Sequence, residues 1–196
     1  MEQELINLDS AFWITTGAIL LLLVLSGFFS GSETALTAAS RGKMRTQADK
    51  GSRGAQRALD ITEDNERLIG SVLLGNNLVN ILATSLTTAL FTRMFGESGV
   101  ALATLIMTVL VLIFAEVLPK TYAITNAETA AARVSLPISI VIRIFAPIVS
   151  TVRWFVRGVL RVFGVRTDPD THILACLLYT SPSPRDLSTS RMPSSA

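Results

Sequence analysis

Redox and soft-metal chemistry are almost unprovided for in this sequence, which has one cysteine, Cys176, and one histidine, His172, among 196 residues. A lone cysteine cannot close an internal disulfide, and a lone histidine cannot complete a zinc site. Charge is scarce too, at 16% Asp, Glu, Lys and Arg against 49% hydrophobic residues. With a mean hydropathy of +0.50, the chain is too apolar for an ordinary soluble domain and falls among membrane proteins. There is no glycine-rich phosphate loop, no internal repeat and no nucleic-acid-binding motif. The net charge of +2 comes from Lys and Arg in clusters, a pattern that reports membrane orientation and not affinity for RNA or DNA.

What the sequence does have is long hydrophobic runs. A helix needs about 20 mostly apolar residues to cross the hydrocarbon, and three runs qualify, at 12–29, 68–91 and 100–118. Only helices and closed barrels satisfy their backbone polar groups in lipid, so an all-α membrane protein with three transmembrane helices is expected. The residues ahead of the first run carry Glu2, Glu4 and Asp9 and no Lys or Arg, which reads as a retained anchor and not a cleaved signal. Arg41, Lys43, Arg45, Lys50, Arg53, Arg57 and Arg67 all lie between the first two runs, whereas the link from 92 to 99 carries only Arg93 and Glu97. The excess of positive charge places the loop 33–67 in the cytoplasm, as helices. Residues 1–11 are then extracellular, the turn 95–99 is outside, and the chain after Lys120 is cytoplasmic.

The stretch 123–170 is less regular. Its apolar run 135–151 is interrupted by Pro137, Arg143 and Pro147, and Arg133, Arg153, Arg157, Arg161 and Arg166 recur around it. This predicts a juxtamembrane belt of helices lying along or dipping into the inner face, with arginines reaching to headgroups. From Cys176 the composition turns to Ser and Pro without periodicity, and such a tract cannot bury a core. It also resembles translated adaptor sequence. Residues 171–196 are therefore expected to be disordered and non-native, with the protein itself continuing past Asp170.

Polar residues inside the apolar runs carry the functional signal. Glu116 ends the run Leu110-Val-Leu-Ile-Phe-Ala-Glu116-Val-Leu-Pro119-Lys120, and a carboxylate at membrane depth is a candidate functional group. Ser26 and Ser30 are four residues apart in the first run, so both hydroxyls fall on one helix face. Asn76 and Asn80 repeat that spacing in the second run, with Ser71 one turn before Gly75. Hydroxyl and amide oxygens around one carboxylate form a hard donor set that suits Mg²⁺ or a similar cation. Each part has a plainer reading. Ser26, Gly27, Ser30 and Gly31 form small-xxx-small patterns that let helices pack closely, and the asparagines serve as interhelical hydrogen bonds. Glu116 pairs with Lys120 one turn on, and Pro119 either marks a helix end or frees carbonyls beside Glu116. Convergence of polar residues on all three runs favours the cation site.

Three segments, Ser26-Gly-Phe-Phe-Ser30-Gly-Ser-Glu33-Thr-Ala-Leu36, Leu73-Leu-Gly-Asn76-Asn-Leu-Val-Asn80 and Glu116-Val-Leu-Pro119-Lys120, closely resemble the transmembrane domain of the CNNM/CorC magnesium transporter family, the DUF21 domain often labelled hemolysin-related. The resemblance covers about 14–170. It implies an extracellular N-terminus, three transmembrane helices, a juxtamembrane belt, and a homodimer with one Mg²⁺ site per protomer. In that scheme Ser26 and Ser30 are hydroxyl ligands, Asn76 and Asn80 line or ligate the pocket, Glu116 is the charged ligand, and Lys120 is its charge partner. Relatives continue into paired CBS modules that bind ATP and often a CorC/HlyC module, neither of which this sequence contains.

The function expected is non-enzymatic: Mg²⁺ efflux, with Co²⁺ as a second cargo, coupled to another ion gradient in the plasma (inner) membrane. Lipid and a second copy are the expected partners. A membrane-anchored Mg²⁺ sensor controlling another transporter is the alternative. An intramembrane hydrolase using a serine with Lys120 is disfavoured, because no histidine lies in any run and no oxyanion site is evident.

Overall fold

The computed structural model describes residues 2–162, with side chains from Ser10 onward. The tail expected at 171–196, with His172 and Cys176, lies outside the described residues. Every regular element among the described residues is a helix: α1 (Glu2–Ala38), α2 (Arg41–Asp49), α3 (Arg53–Glu63), α4 (Asn65–Phe95), α5 (Ser98–Leu110), a π-helical stretch (Val111–Val117), α6 (Leu118–Thr125) and α7 (Ala127–Val162). The α5, π and α6 segments run on without a break as one rod.

Short polar signals end the helices where the apolar runs end. The α2–α3 turn places Gly51 at φ +92, a conformation that only glycine adopts freely. The Gly51 and Ser52 amides donate to the carbonyls of Ala48 and Gln47, closing α2 as glycine C-caps commonly do. The Ser52 side chain then accepts from the Ala55 amide to start α3, and Asp64 accepts from the Arg67 amide to start α4. The turn predicted at 95–99 is present. Gly96 sits there at φ +66, and Gly99 lies so close to α4 that a Cβ would come within 2.3 Å of the Phe91 carbonyl oxygen. Both arginine-rich helices of the 33–67 loop form as expected.

Among the described residues, four helices are long and apolar enough to cross a membrane: Ser10–Ala38, Asn65–Phe95, Ser98–Thr125 and Ala127–Val162. The first three contain the predicted runs 12–29, 68–91 and 100–118 and extend beyond both ends of each. The fourth corrects the expectation of a belt built from separate helices, because α7 continues through Pro137 and Pro147. A proline within a helix removes one hydrogen bond, which costs about 3 kcal/mol. In apolar surroundings, however, the backbone has no better alternative than to remain helical. Ser135 and Ser139 flank Pro137 and donate to the carbonyls of Ala132 and Leu136, which supports the disturbed turn.

The surface confirms the solvent for which these rods are built. Leu20, Val24, Ile81, Leu105, Phe114 and Ile144 are each more than half exposed, an apolar exterior that belongs in lipid and not in water.

The chain divides into compact units, residues 1–150 and 151–196. Within the first, α1 packs along α4 and along the third rod. Phe29, Ala35, Leu36, Leu68, Val72 and Ile138 anchor one buried cluster, joined by Met44, Ala55 and Ala58 of the α2–α3 hairpin. Ile19, Leu23, Ala83 and Met107 form a second cluster toward the α4–α5 turn. Ser26 falls between Leu23 of the second cluster and Phe29 of the first, and Asn80 between Val79 of the first and Ala83 of the second. The described part of the second unit is helical through Val162 and exposes Trp154 and Phe155 among Arg153, Arg157 and Arg161.

Candidate cation site

Three rods deliver the five predicted residues to one place. On α1, Ser26 and Ser30 are fully buried. Gly27 and Gly31 lie on the adjoining face, where an added Cβ at 27 would sit 3.0 Å from the Phe114 carbonyl oxygen and one at 31 would sit 3.2 Å from Pro119 Cβ. The alternation Ser-Gly-x-x-Ser-Gly therefore does two jobs. The glycines bring the third rod close, and the serines then face the gap that remains. On α4, Gly75 leaves room for the Phe29 ring, which would lie 2.9 Å from an added Cβ, so Asn76 is drawn up against α1.

The third rod owes its aim to the π-helical stretch. Between Val111 and Val117 the hydrogen-bond pattern widens, and the Leu118 amide bonds back to the Ile113 carbonyl. Such a turn holds one extra residue, which swings everything beyond it by roughly 100° relative to an unbroken α-helix. Pro119 supplies a reason, since it has no N–H to complete the ordinary bond to Ala115. Glu116 consequently points at α1 and α4.

The polar contacts form one connected network. Ser26 Oγ donates toward Asn76 Oδ1 at 2.9 Å and Asn80 Oδ1 at 2.6 Å. Asn76 Nδ2 donates to Glu116 Oε1 at 3.5 Å, and Ser30 Oγ donates to Glu116 Oε2 at 3.4 Å. Lys120 Nζ pairs with the same Oε2 at 2.6 Å. Two of the plainer readings thus hold alongside the site reading: the asparagines do bridge helices, and Glu116 does pair with Lys120.

Proton counting constrains how this network is shared out. A hydroxyl has one hydrogen, so Ser26 satisfies only one of the two amide oxygens at a time. The Asn76 amide is oriented by its bonds at both ends, with nitrogen toward Glu116 and oxygen toward Ser26, a choice inferred from the network. Ser26 Oγ thus lies 2.6 to 2.9 Å from an amide group of each asparagine, and the Asn80 amide, turned end for end, donates to Ser26 instead of accepting from it. A carboxylate lies one residue further along the chain of bonds. Among the described residues no three of His, Cys, Asp and Glu converge; the available donors are hard oxygens with one negative charge.

Not every polar residue in the runs joins in. Ser71 is fully buried, yet its hydroxyl has no hydrogen-bond partner, and the same holds for Ser32. Sequence reasoning missed the π turn and the spacing role of Gly75. A glycine directly before Asn76 in an apolar helix was the available signal for the second, and Pro119 for the first.

Comparison with known proteins agrees with this architecture. The cyclin M transmembrane N-terminal domain, CNNM, matches residues 17–175. The UPF0053 inner membrane protein YfjD of Escherichia coli (strain K12) is 46% identical over 61 residues, which is 31% of this chain and 14% of that protein. A UPF0053 protein of Haemophilus influenzae is 39% identical over 67 residues, 34% of this chain and 16% of the relative. These alignments span less than a fifth of either relative's length. The match through nearly all of the described helices settles the family: this chain is an integral membrane protein that belongs to the CNNM transmembrane domain family.

Proposed function

We propose that this domain binds and moves a divalent cation, Mg²⁺ first and Co²⁺ second, through the gap bounded by Ser26, Ser30, Asn76, Asn80 and Glu116. The observation that carries this reading is the convergence of hard polar groups from three rods, with Ser26, Asn76 and Asn80 in contact and Asn76 and Ser30 each reaching the Glu116 carboxylate. Hydroxyl and amide oxygens beside one carboxylate form a donor set that a hard cation can use. Mg²⁺ sheds water reluctantly and demands near-octahedral oxygen geometry. Neutral oxygens from three separate rods fit that demand because they replace water one ligand at a time. Glu116 alone supplies charge, so binding is strong enough to admit the ion and weak enough to release it.

Family membership supports a transport role over an enzymatic one. Efflux coupled to another ion gradient, a homodimeric assembly, and ATP-binding modules in a longer form of the protein complete the proposal. In the same scheme the N-terminus is outside, the α2–α3 hairpin is cytoplasmic by its arginines, and α7 accompanies the inner face.

The test is purified protein in liposomes loaded with Mg²⁺ and a Mg²⁺-sensitive dye. Wild type is expected to bind Mg²⁺ by calorimetry and to release it down its gradient, and Glu116→Gln is expected to do neither. Binding without release would replace the transporter by a membrane-anchored sensor. Absence of binding by wild type would remove the site altogether.

A further inference from the structure

Among the described residues, Lys120 is the one cation placed in the candidate site. Its Nζ lies 2.6 Å from Glu116 Oε2, and Ser30 Oγ approaches the same oxygen. The Lys120 side chain is 44% exposed against 28% for Glu116, so the lysine is the more accessible partner of the pair. It hangs from the first turn of α6, four residues beyond Glu116, on a flexible four-carbon stem that can carry its charge toward the interface.

We infer that Lys120 is a tethered monovalent competitor that must leave Glu116 before an ion binds, and that this competition sets the preference for divalent over monovalent cations. The inference rests on the reading of the site given above. Its physical basis is charge counting. With Lys120 in place the carboxylate is already neutralised. A free monovalent ion that displaces the ammonium replaces one unit charge by another, and it gives up a tethered partner whose local concentration is high. A divalent ion replaces one charge by two, and in the low-dielectric gap between helices the second charge strengthens its attraction to Glu116 and to the amide oxygens. Lys120 also keeps the gap from carrying an uncompensated negative charge between transport events, which would be costly at this depth.

The competition has a measurable size. Where a competing state dominates, apparent affinity falls by the fraction of protein that is free to bind. Removing Lys120 from a site that it fills nine-tenths of the time or more therefore tightens binding by about tenfold or more.

The experiment is calorimetric titration of the purified full chain with MgCl₂ in a buffer whose only other cation is N-methylglucamine, then again with NaCl added. Lys120→Met is expected to bind Mg²⁺ at least about tenfold more tightly than wild type and to lose much of that gain to Na⁺, which wild type resists. Lys120→Arg, which keeps a tethered cation, is expected to stay close to wild type. Should Lys120→Met fail to fold, amine labelling of wild type followed by mass spectrometry reads the same event: Mg²⁺ is expected to speed modification of Lys120. Equal Mg²⁺ affinity in wild type and Lys120→Met, or labelling of Lys120 that Mg²⁺ leaves unchanged or slows, overturns the role of Lys120 while leaving the site standing. Failure of all forms to bind Mg²⁺ overturns the site reading and this inference with it.

Discussion

Ser26 and Ser71 are the same residue, equally buried, on helices that pack along one seam, yet they have opposite fates. The Ser26 hydroxyl meets two amide oxygens, while the Ser71 hydroxyl meets nothing. Ser71 precedes Asn76 by five residues, which turns it roughly 140° around α4 and away from the face that carries the asparagines. Ser32 stands in the same relation to Ser26, six residues along and about 120° around α1. Burial of a polar group in a membrane helix is therefore not enough to mark a site. Facing rods must also offer complementary groups at matching heights.

That contrast can be broken most forcefully at Glu116. Glu116→Gln is expected to weaken Mg²⁺ binding by more than the roughly 10- to 100-fold typical of losing an outer-shell partner, measured by calorimetry. A change smaller than tenfold would put the ion elsewhere. Next in size is Gly27→Ala, whose methyl would press on the Phe114 carbonyl. Overpacking of this kind costs about 1–3 kcal/mol, and the variant is expected to melt several degrees lower in detergent while binding Mg²⁺ more weakly. An unchanged melting curve would mean that the third rod is not held where the structure shows it.

Ser26→Ala should sharpen the comparison at smaller cost, with about tenfold weaker Mg²⁺ binding and little change in stability, because the two amide oxygens lose the group that gathers them. The smallest effect belongs to Ser71→Ala. Removing an unpartnered buried hydroxyl avoids a desolvation penalty of about 1–3 kcal/mol, so thermal stability is expected to hold or rise and Mg²⁺ affinity to stay put. Weaker Mg²⁺ binding by Ser71→Ala would join the two serines into one site and erase the distinction.

Much of the convergence of these polar residues could be read from spacing alone, and the reason is local. Four-residue intervals put Ser26 with Ser30, and Asn76 with Asn80, on single faces of regular helices, and the apolar runs fixed which helices those were. Glu116 was legible as an anomaly of burial, but its direction was not. Direction depends on counting residues around the helix from Leu110, and the wide turn at Val111–Val117 spoils that count. The continuity of α7 was hidden for a related reason. Pro137 and Pro147 read as breaks by the rules of helices in water, where freed carbonyls find solvent, whereas apolar surroundings leave the helix as the cheapest way to satisfy the rest. Lys120 was legible as a partner by its spacing of four. That its ammonium would sit on the oxygen Ser30 also approaches needed the folded arrangement.

The junction between α6 and α7 consists of the single residue Asn126, whose amide bonds back to the Tyr122 carbonyl while its own carbonyl accepts from Ala130. An elbow that short has almost no slack. Any rotation of α6 about its axis would therefore pass directly into the first turns of α7.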